Sequence, residues 1–272
     1  MPLKIHIGPA GNCISVSGGT IDSFKRLIEL NLNAQEIEFV RGVWMTNSMA
    51  KRVGNAAKEM GIKLSIHAPY YINLCNPEKL RASEKRIMDS CERAYHLGAR
   101  VVVFHPGYYG KLSESEALEN VINACREMSK TLDKKRIRNV FLGLETTGKK
   151  SQFGTLDEII EICEKVKHCI PVIDFAHIYA RNGGKIDYKK IFNKVKALRP
   201  EFLHAHFSSI EFTDKGEKRH IPVSNNKPDF RELAKEILKR EVDITIICES
   251  PLLEKDASIM KNIFEDLGYK FD

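Results

Sequence analysis

The sequence predicts a closed (β/α)8 barrel that forms a single domain over residues 1–272. Strand-like and helix-like segments alternate along the whole chain in eight units of roughly 30 residues. No linker or low-complexity tract divides them, and a length of 272 residues suits one such barrel of about 250. An open doubly wound sheet is the competing arrangement, but eight units without a larger break favour closure.

Each predicted strand is a short apolar run that precedes an amphipathic segment. The strands are Leu3–Gly8, Ala34–Val40, Lys63–Ala68, Arg100–Pro106, Val140–Thr146, Ile170–Phe175, Glu201–Phe207 and Asp243–Ser250. The helices are Thr20–Leu30, Thr46–Met60, Lys79–Leu97, Ser113–Leu132, Thr155–Val166, Asp187–Leu198, Asp229–Arg240 and Asp256–Leu267. Ser113 and Thr155 begin capping-box sequences, and Gly61 and Gly98 stand where a left-handed residue would end a helix. The longest irregular stretches all follow strands, on the face where barrel enzymes build their sites: Tyr70–Glu78, Thr147–Gly154 and Ser208–Lys227.

Composition indicates an ordinary globular protein. Hydrophobic residues make up 43% and charged residues 29%, and no apolar run reaches the roughly 18 residues of a membrane span. The amino-terminal segment lacks the apolar core of a secretory signal, so we expect a cytoplasmic protein. We also expect a monomer without a membrane partner. Seven scattered cysteines without a CxxC pair predict reduced thiols. The formal charge of +7 is compatible with a polyanionic partner such as DNA.

Residue types that bind metals stand at the carboxyl ends of six predicted strands. They are His67, His105, Glu145, Asp174, His206 and Glu249. Side chains alternate along a strand, so His67 shares the inward face with Ser65, and His204 and His206 both point inward. His177 has the opposite parity to the sixth strand end, so we expect it to project from the loop. The pattern predicts a ring of imidazoles and carboxylates around one mouth.

Such a ring needs a counter-charge, because neighbouring carboxylates repel and their desolvation adds to the cost. Divalent metals supply it, and a set of imidazoles and carboxylates without thiolate suits Zn²⁺, Mn²⁺ or Fe²⁺. Two or more metals would serve the hydrolysis of a phosphate ester. A single metal would instead suit a sugar isomerase or epimerase without DNA affinity, although His67 and His105 exceed what one metal needs. A metal-binding barrel that has lost catalysis is the third alternative.

Several motifs resemble those of endonuclease IV, a family of zinc-dependent apurinic/apyrimidinic endonucleases on a TIM barrel. The similarity covers nearly the whole chain, and its motifs are His67-Ala-Pro-Tyr70, Phe104-His105-Pro-Gly107, Leu144-Glu145-Thr-Thr-Gly148 and Asp174-Phe-Ala-His177. The resemblance implies hydrolysis of double-stranded DNA 5′ to abasic sites, in base excision repair.

The resemblance also implies a role for each site residue. The first zinc would take His67, His105 and Glu145, and the second would take Glu145, Asp174, His206 and Glu249. Glu145 would bridge these two ions and is the predicted catalytic residue. The third zinc would take His177 and His220, and the residues predicted to contact DNA are Arg41, Trp44 and Tyr70.

The chain departs from the family at the third zinc. The family has Asp-Arg-His where this sequence reads Lys218-Arg219-His220. A protonated lysine donates hydrogen bonds and cannot bind a cation. We therefore predict two tightly held metals, with a third absent or labile unless Glu217 supplies a carboxylate, and Lys218 itself near the third position.

Overall fold

The protein is a barrel of parallel strands surrounded by helices, described over residues 3–240 and 242–271 of a computed structural model. The strands are β1 (Ile5–Pro9), β2 (Ala34–Glu38), β3 (Lys63–His67), β4 (Val101–Phe104), β5 (Gly107–Tyr108), β6 (Phe141–Glu145), β7 (Gln152–Phe153), β8 (Cys169–Asp174), β9 (Leu203–Phe207), β10 (Ser209–Thr213), β11 (Gly216–Ile221) and β12 (Ile244–Cys248). The helices are α1 (Thr20–Glu29), α2 (Asn47–Glu59), α3 (Pro77–Leu97), α4 (Glu114–Lys134), α5 (Leu156–Lys165), α6 (Phe175–Arg181), α7 (Tyr188–Lys196), α8 (Phe230–Arg240) and α9 (Glu254–Asp266).

Eight of these strands form one sheet in the order β1, β12, β9, β8, β6, β4, β3, β2, with every neighbouring pair parallel. The two end strands meet at a parallel bridge between Ala10 and Glu36, and the Gly11 N–H donates to the Glu36 carbonyl at 2.9 Å. The barrel is therefore nearly closed. The predicted (β/α)8 fold is confirmed, and the open sheet is excluded.

Two stretches that were expected to be irregular contain regular structure. The segment Ser208–Lys227 holds an antiparallel hairpin of β10 and β11, and Thr147–Gly154 holds β7, which pairs with β5. Gly216 begins β11 with a φ of 96°, and a Cβ there would lie 2.2 Å from the Gly148 carbonyl oxygen. Glycine thus lets the hairpin pack directly against the loop after β6.

The main hydrophobic core lies between the barrel and its helices. It includes Phe24, Leu27, Val121, Ile159 and Phe264, none of which is exposed.

All seven cysteines are free thiols, as predicted. Within the described residues, no helix has both the length and the apolar character needed to cross a membrane.

The inside of the barrel has an apolar half and a polar half. Val101, Val103 and Val172 form the buried apolar half on β4 and β8. The polar half lies on the other strands, where side chains at matched positions share a face. His6, Thr245 and His204 are matched across β1, β12 and β9, and Glu36 and Ser65 are matched across β2 and β3.

A cavity of about 900 Å³, here called the lower cavity, opens below the barrel interior on the amino-terminal face. Its lining includes Lys4, His6, Lys63, His96, His204 and Asp243.

Candidate metal centre

Glu145 lies at the centre of the carboxyl-end mouth of the barrel, with no exposed surface. Its Oε2 is 3.2 Å from His67 Nε2 and 2.8 Å from His105 Nε2. Its Oε1 is 3.2 Å from His206 Nδ1 and 3.3 Å from His177 Nδ1. The two oxygens of this carboxylate therefore face different candidate ligands, His67 and His105 on one side and His206 on the other, which is the arrangement that a bridging ligand needs.

The structure brings all eight predicted ligands together. Their donor atoms fall into three sets, each with atoms within 4.8 Å of one another: His67, His105 and Glu145; Glu145, Asp174, His206 and Glu249; His177, His220 and Glu249. The rings of His67 and His105 have centroids 5.7 Å apart, within the reach of a shared ion. The first two sets have the predicted composition, and the third gains Glu249. That these sets bind metal stays a prediction.

His177 lies on a helix, so the expectation that it projects from a loop was wrong. Helix α6 begins immediately after β8, because Asp174 caps it by accepting a hydrogen bond from the His177 N–H at Oδ1. The other oxygen, Asp174 Oδ2, is buried without a hydrogen-bond partner, and so is His177 Nε2. His177 Nδ1 faces the Thr146 carbonyl at 3.0 Å, which leaves Nε2 to act as a ligand. Such unpaired buried atoms fit a bound cation.

The hairpin positions the third set differently from the expectation. Lys218 Nζ lies 3.3 Å from Glu211 Oε2 on the exposed side of the hairpin, so its predicted place near the third metal was wrong. The cause is a β-bulge: Glu211 pairs with Arg219 while the next residue pairs with Glu217, which leaves Lys218 unmatched. Glu217 turns inward, and its Oε2 is 3.4 Å from His177 Nε2.

The buried charges in the mouth shift one another's protonation. Burial lowers the pKa of His67, but the hydrogen bond to Glu145 and the charge of Glu38 outweigh it and raise that pKa to about 10. Burial raises the pKa of Asp174 to about 8, against the opposing charge of His177. Burial also opposes ionisation of Glu145, yet the neighbouring histidines, His105 first, hold its pKa well below the usual value. Protons on imidazoles balance these carboxylates, and a divalent cation would supply the same compensation.

Sequence reasoning missed two carboxylates on β2 that face this site. Glu36 is fully buried, and its Oε1 lies 3.0 Å from His206 Nε2. Glu38 is partly buried, and burial raises its pKa to about 8. The available signal was their spacing: Glu36 and Glu38 are two positions apart, so they share one face of β2, and the intervening Ile37 takes the other face.

The residues predicted to contact DNA lie at the rim of the mouth. Trp44 is 51% exposed, and its Nε1 donates to the Glu38 carbonyl at 3.2 Å. Tyr70 stacks against Tyr71 with ring centroids 4.2 Å apart, and both are about half exposed. Arg41 is exposed in the loop after β2. All of these side chains are accessible from solvent on the face that holds the ligand sets.

Residues 24–263 match a family described as xylose isomerase-like TIM barrel. The chain belongs to this family. Among its relatives, an uncharacterized protein of Methanocaldococcus jannaschii is 38% identical over 280 residues, covering 97% of this chain and 98% of that protein. A probable endonuclease 4 of Staphylococcus carnosus is 32% identical over 217 residues, covering 74% of this chain and 71% of that protein. The resemblance to endonuclease IV is thereby confirmed, and this chain is a divergent member.

Solved structures also align with this chain. Endonuclease IV from Thermus thermophilus has a TM-score of 0.70 at 19% identity, covering 98% of each chain. A D-tagatose 3-epimerase-like protein has a TM-score of 0.69 at 21% identity, covering 91% of this chain and 94% of that one. At these identities the likeness shows the shared fold, so the choice between activities depends on the site.

Proposed function

We propose that the protein is a metal-dependent phosphodiesterase that hydrolyses double-stranded DNA 5′ to abasic sites, as part of base excision repair. The observation that carries this proposal is the sharing of carboxylates between the ligand sets. Glu145 belongs to the first and second sets, and Glu249 belongs to the second and third. Shared carboxylates hold neighbouring cations close together, and such a cluster suits the displacement of an oxygen from phosphorus.

The residues present fit zinc, with Mn²⁺ or Fe²⁺ as alternatives, because the sets offer imidazole and carboxylate donors without thiolate. When bound, these cations supply Lewis-acid activation of water and neutralise charge on a phosphodiester. Glu145 would hold the first two ions at a fixed separation. Asp174 and His177 are pre-positioned by the helix cap, so their donor atoms need little rearrangement.

The rim supports nucleic acid as the substrate. Within the described residues, seven of the ten exposed large apolar side chains lie on this face, in segments that follow barrel strands: Ile14, Val40, Trp44, Tyr70, Tyr71, Tyr108 and Leu252. The four aromatic rings among them could stack on unpaired bases or fill a gap in the duplex. Exposed cations also lie in segments that follow barrel strands: Arg41 after β2, Lys149 after β6 and Lys215 between β10 and β11. Aromatic rings that can stack on bases, together with cations that can contact phosphates, suit DNA as the substrate.

The proposal is tested by incubating the zinc-loaded protein with a duplex that carries one synthetic abasic site. We expect a single cut on the 5′ side that leaves a 3′-hydroxyl, no cut in the matched intact duplex, and loss of cutting after chelation. Metal content measured on the same preparation should exceed one ion per chain. A loaded protein that binds no abasic duplex at low salt would overturn the proposal.

A sugar isomerase or epimerase is the second candidate, because the four-residue set Glu145, Asp174, His206 and Glu249 is complete and could hold one metal alone. The two candidates differ in their need for His105, which belongs only to the first set. The substitution His105→Gln should abolish phosphodiester cleavage but leave single-metal sugar chemistry largely intact. His96→Gln on α3 is the matched control and should affect neither activity.

A further inference from the structure

We infer that Glu36 is a positioning residue that holds the imidazole of His206 in the orientation needed for metal binding. Glu36, at the middle of β2, has no exposed surface, and its Oε1 lies 3.0 Å from His206 Nε2. The other ring nitrogen, His206 Nδ1, lies 3.0 Å from Glu249 Oε1 and 3.2 Å from Glu145 Oε1. The ring is thus placed between the Glu36 carboxylate on one side and the second ligand set on the other.

The pattern of contacts around the other candidate ligands supports this role. His67 Nδ1 faces the Ala68 carbonyl at 2.8 Å, His177 Nδ1 faces the Thr146 carbonyl at 3.0 Å, and His220 Nδ1 faces Ser208 Oγ at 2.6 Å. In each case one ring nitrogen is held by the protein and Nε2 is left for the ion. A partner of this kind fixes the tautomer and the ring orientation of a metal ligand.

His206 reverses this arrangement, because its Nδ1 faces the ligand set and its Nε2 faces away. Neither Glu36 Oε1 nor His206 Nε2 makes a hydrogen bond of full geometry, either to the other or to any further group of the described residues. These two buried polar atoms are 3.0 Å apart, so each is the available partner of the other. Glu36 is the carboxylate that keeps the proton on Nε2 and leaves Nδ1 free.

The carboxylate of Glu36 is itself fixed from below. Its Oε2 accepts hydrogen bonds from Ser65 Oγ at 2.6 Å and from His204 Nε2 at 3.1 Å. Ser65 and His204 are each 2% exposed, so these bonds lie inside the barrel, away from water. Two donors on Oε2 direct Oε1 towards His206. The polar half of the barrel interior therefore supports the second ligand set from beneath.

This inference rests on the metal centre of the proposed function but not on DNA cleavage, so it is tested by metal binding alone. Glu36→Gln keeps the shape of the side chain and offers one acceptor oxygen to three donors. We expect the dissociation constant for Zn²⁺, measured by chelator competition, to rise by about 10- to 100-fold for one ion per chain. The total number of ions at saturating Zn²⁺ should not change. With Co²⁺ as the probe, the visible absorption of one ion should shift.

The matched control is Glu254→Gln, which removes a carboxylate that is also buried, at 1% exposure. Glu254 accepts the backbone N–H groups of Ile14 and Ser15 at 3.0 and 2.9 Å, so its loss should lower stability without changing Zn²⁺ affinity. In a His206→Asn background, Glu36→Gln should have no further effect on affinity, because the residue acts through His206. If Glu36→Gln does not fold, His204→Gln is measured instead. The dissociation constant of the same ion should rise, by less than is expected for Glu36→Gln, and an unchanged constant would overturn the inference.

The outcomes separate the possible explanations. Unchanged Zn²⁺ affinity in a folded Glu36→Gln variant would overturn the inference. So would the permanent loss of one ion at any Zn²⁺ concentration, because Glu36, His204 and His206 would then form a metal site of their own. A wild-type protein that binds no divalent metal overturns both this inference and the proposed function. One that binds Zn²⁺ but cuts no abasic DNA overturns the activity alone.

Discussion

His6 should make the protein less stable in mild acid. It lies on β1 beside the lower cavity, and its Nδ1 is buried without a hydrogen-bond partner. Burial is the largest cause that lowers the pKa of His6 from 6.5 to about 4; Lys63 and Lys4 lower it further, against the opposing charge of Asp243. The imidazole is therefore neutral in the folded protein at pH values where the unfolded chain already binds a proton.

The sign and size of the effect follow from those two pKa values. Between pH 6.5 and about 4 the unfolded state binds more protons, so the unfolding free energy falls as the pH falls and is unaffected above that window. At pH 5 the loss comes to about 2 kcal/mol if the ring is fully shielded. Solvent reaches the ring through the lower cavity, so we expect about 1 kcal/mol.

Urea unfolding of the wild type and of His6→Gln at pH 8 and pH 5 measures how much His6 contributes to the loss of unfolding free energy. The variant should have nearly the wild-type stability at pH 8 and should lose about 1 kcal/mol less than the wild type on acidification. His96→Gln, which removes a histidine from the lining of the same cavity, is the control. Parallel pH dependences for the wild type and His6→Gln would refute the reasoning.

Three further predictions concern the metal centre and the rim. Glu145→Gln should lower nicking of abasic DNA by more than about 100-fold with the fold retained, because it removes the charge of the shared ligand. Retained nicking activity in a metal-verified preparation would show that Glu145 is not the bridging ligand. Affinity for abasic duplex should fall steeply as the salt concentration rises, and Arg41→Ala should reduce the slope of log affinity against log salt concentration by about 1. An affinity that does not depend on salt would count against a DNA-binding groove. After extensive dialysis we expect two metals per chain by elemental analysis, so three retained ions would contradict a labile third site. Glu217→Gln should weaken binding of the third ion further, and unchanged binding would contradict the role of Glu217.

Much of the fold and the ring of ligand-type residues could be predicted because both depend on a period of two. His67 and Glu145 end their strands and His206 is the last residue but one of β9, and alternation along each strand fixes which side chains face inward. In a parallel barrel all these ends meet at one mouth, so convergence follows from topology without any knowledge of distances. The grouping into sets came from the resemblance to endonuclease IV, since parity alone assigns a face and not a partner.

The remaining features depend on contacts that leave no local pattern. The hairpin of β10 and β11 is largely polar, and its register is set by a bulge and by the approach of Gly216 to Gly148. The inward turn of Glu217 and the outward turn of Lys218 follow from that bulge. Glu36 was missed because a buried carboxylate is unfavourable until its partners are known, and those partners come from other strands, β3 and β9.

The docked hairpin has a consequence for how fast ions leave the centre. His220 and Glu217 belong to a hairpin outside the barrel sheet, held against the loop after β6 by contacts that include the hydrogen bond from the Glu217 N–H to the Gly148 carbonyl at 3.0 Å. Such an element can open locally at a small fraction of the global unfolding free energy, whereas β3, β6 and β9 can open only with the barrel. A cation in the third set would exchange at the rate of hairpin opening, and those in the first two sets would exchange far more slowly. The centre would then have two exchange rates, which isotope exchange with labelled zinc would resolve as separate phases.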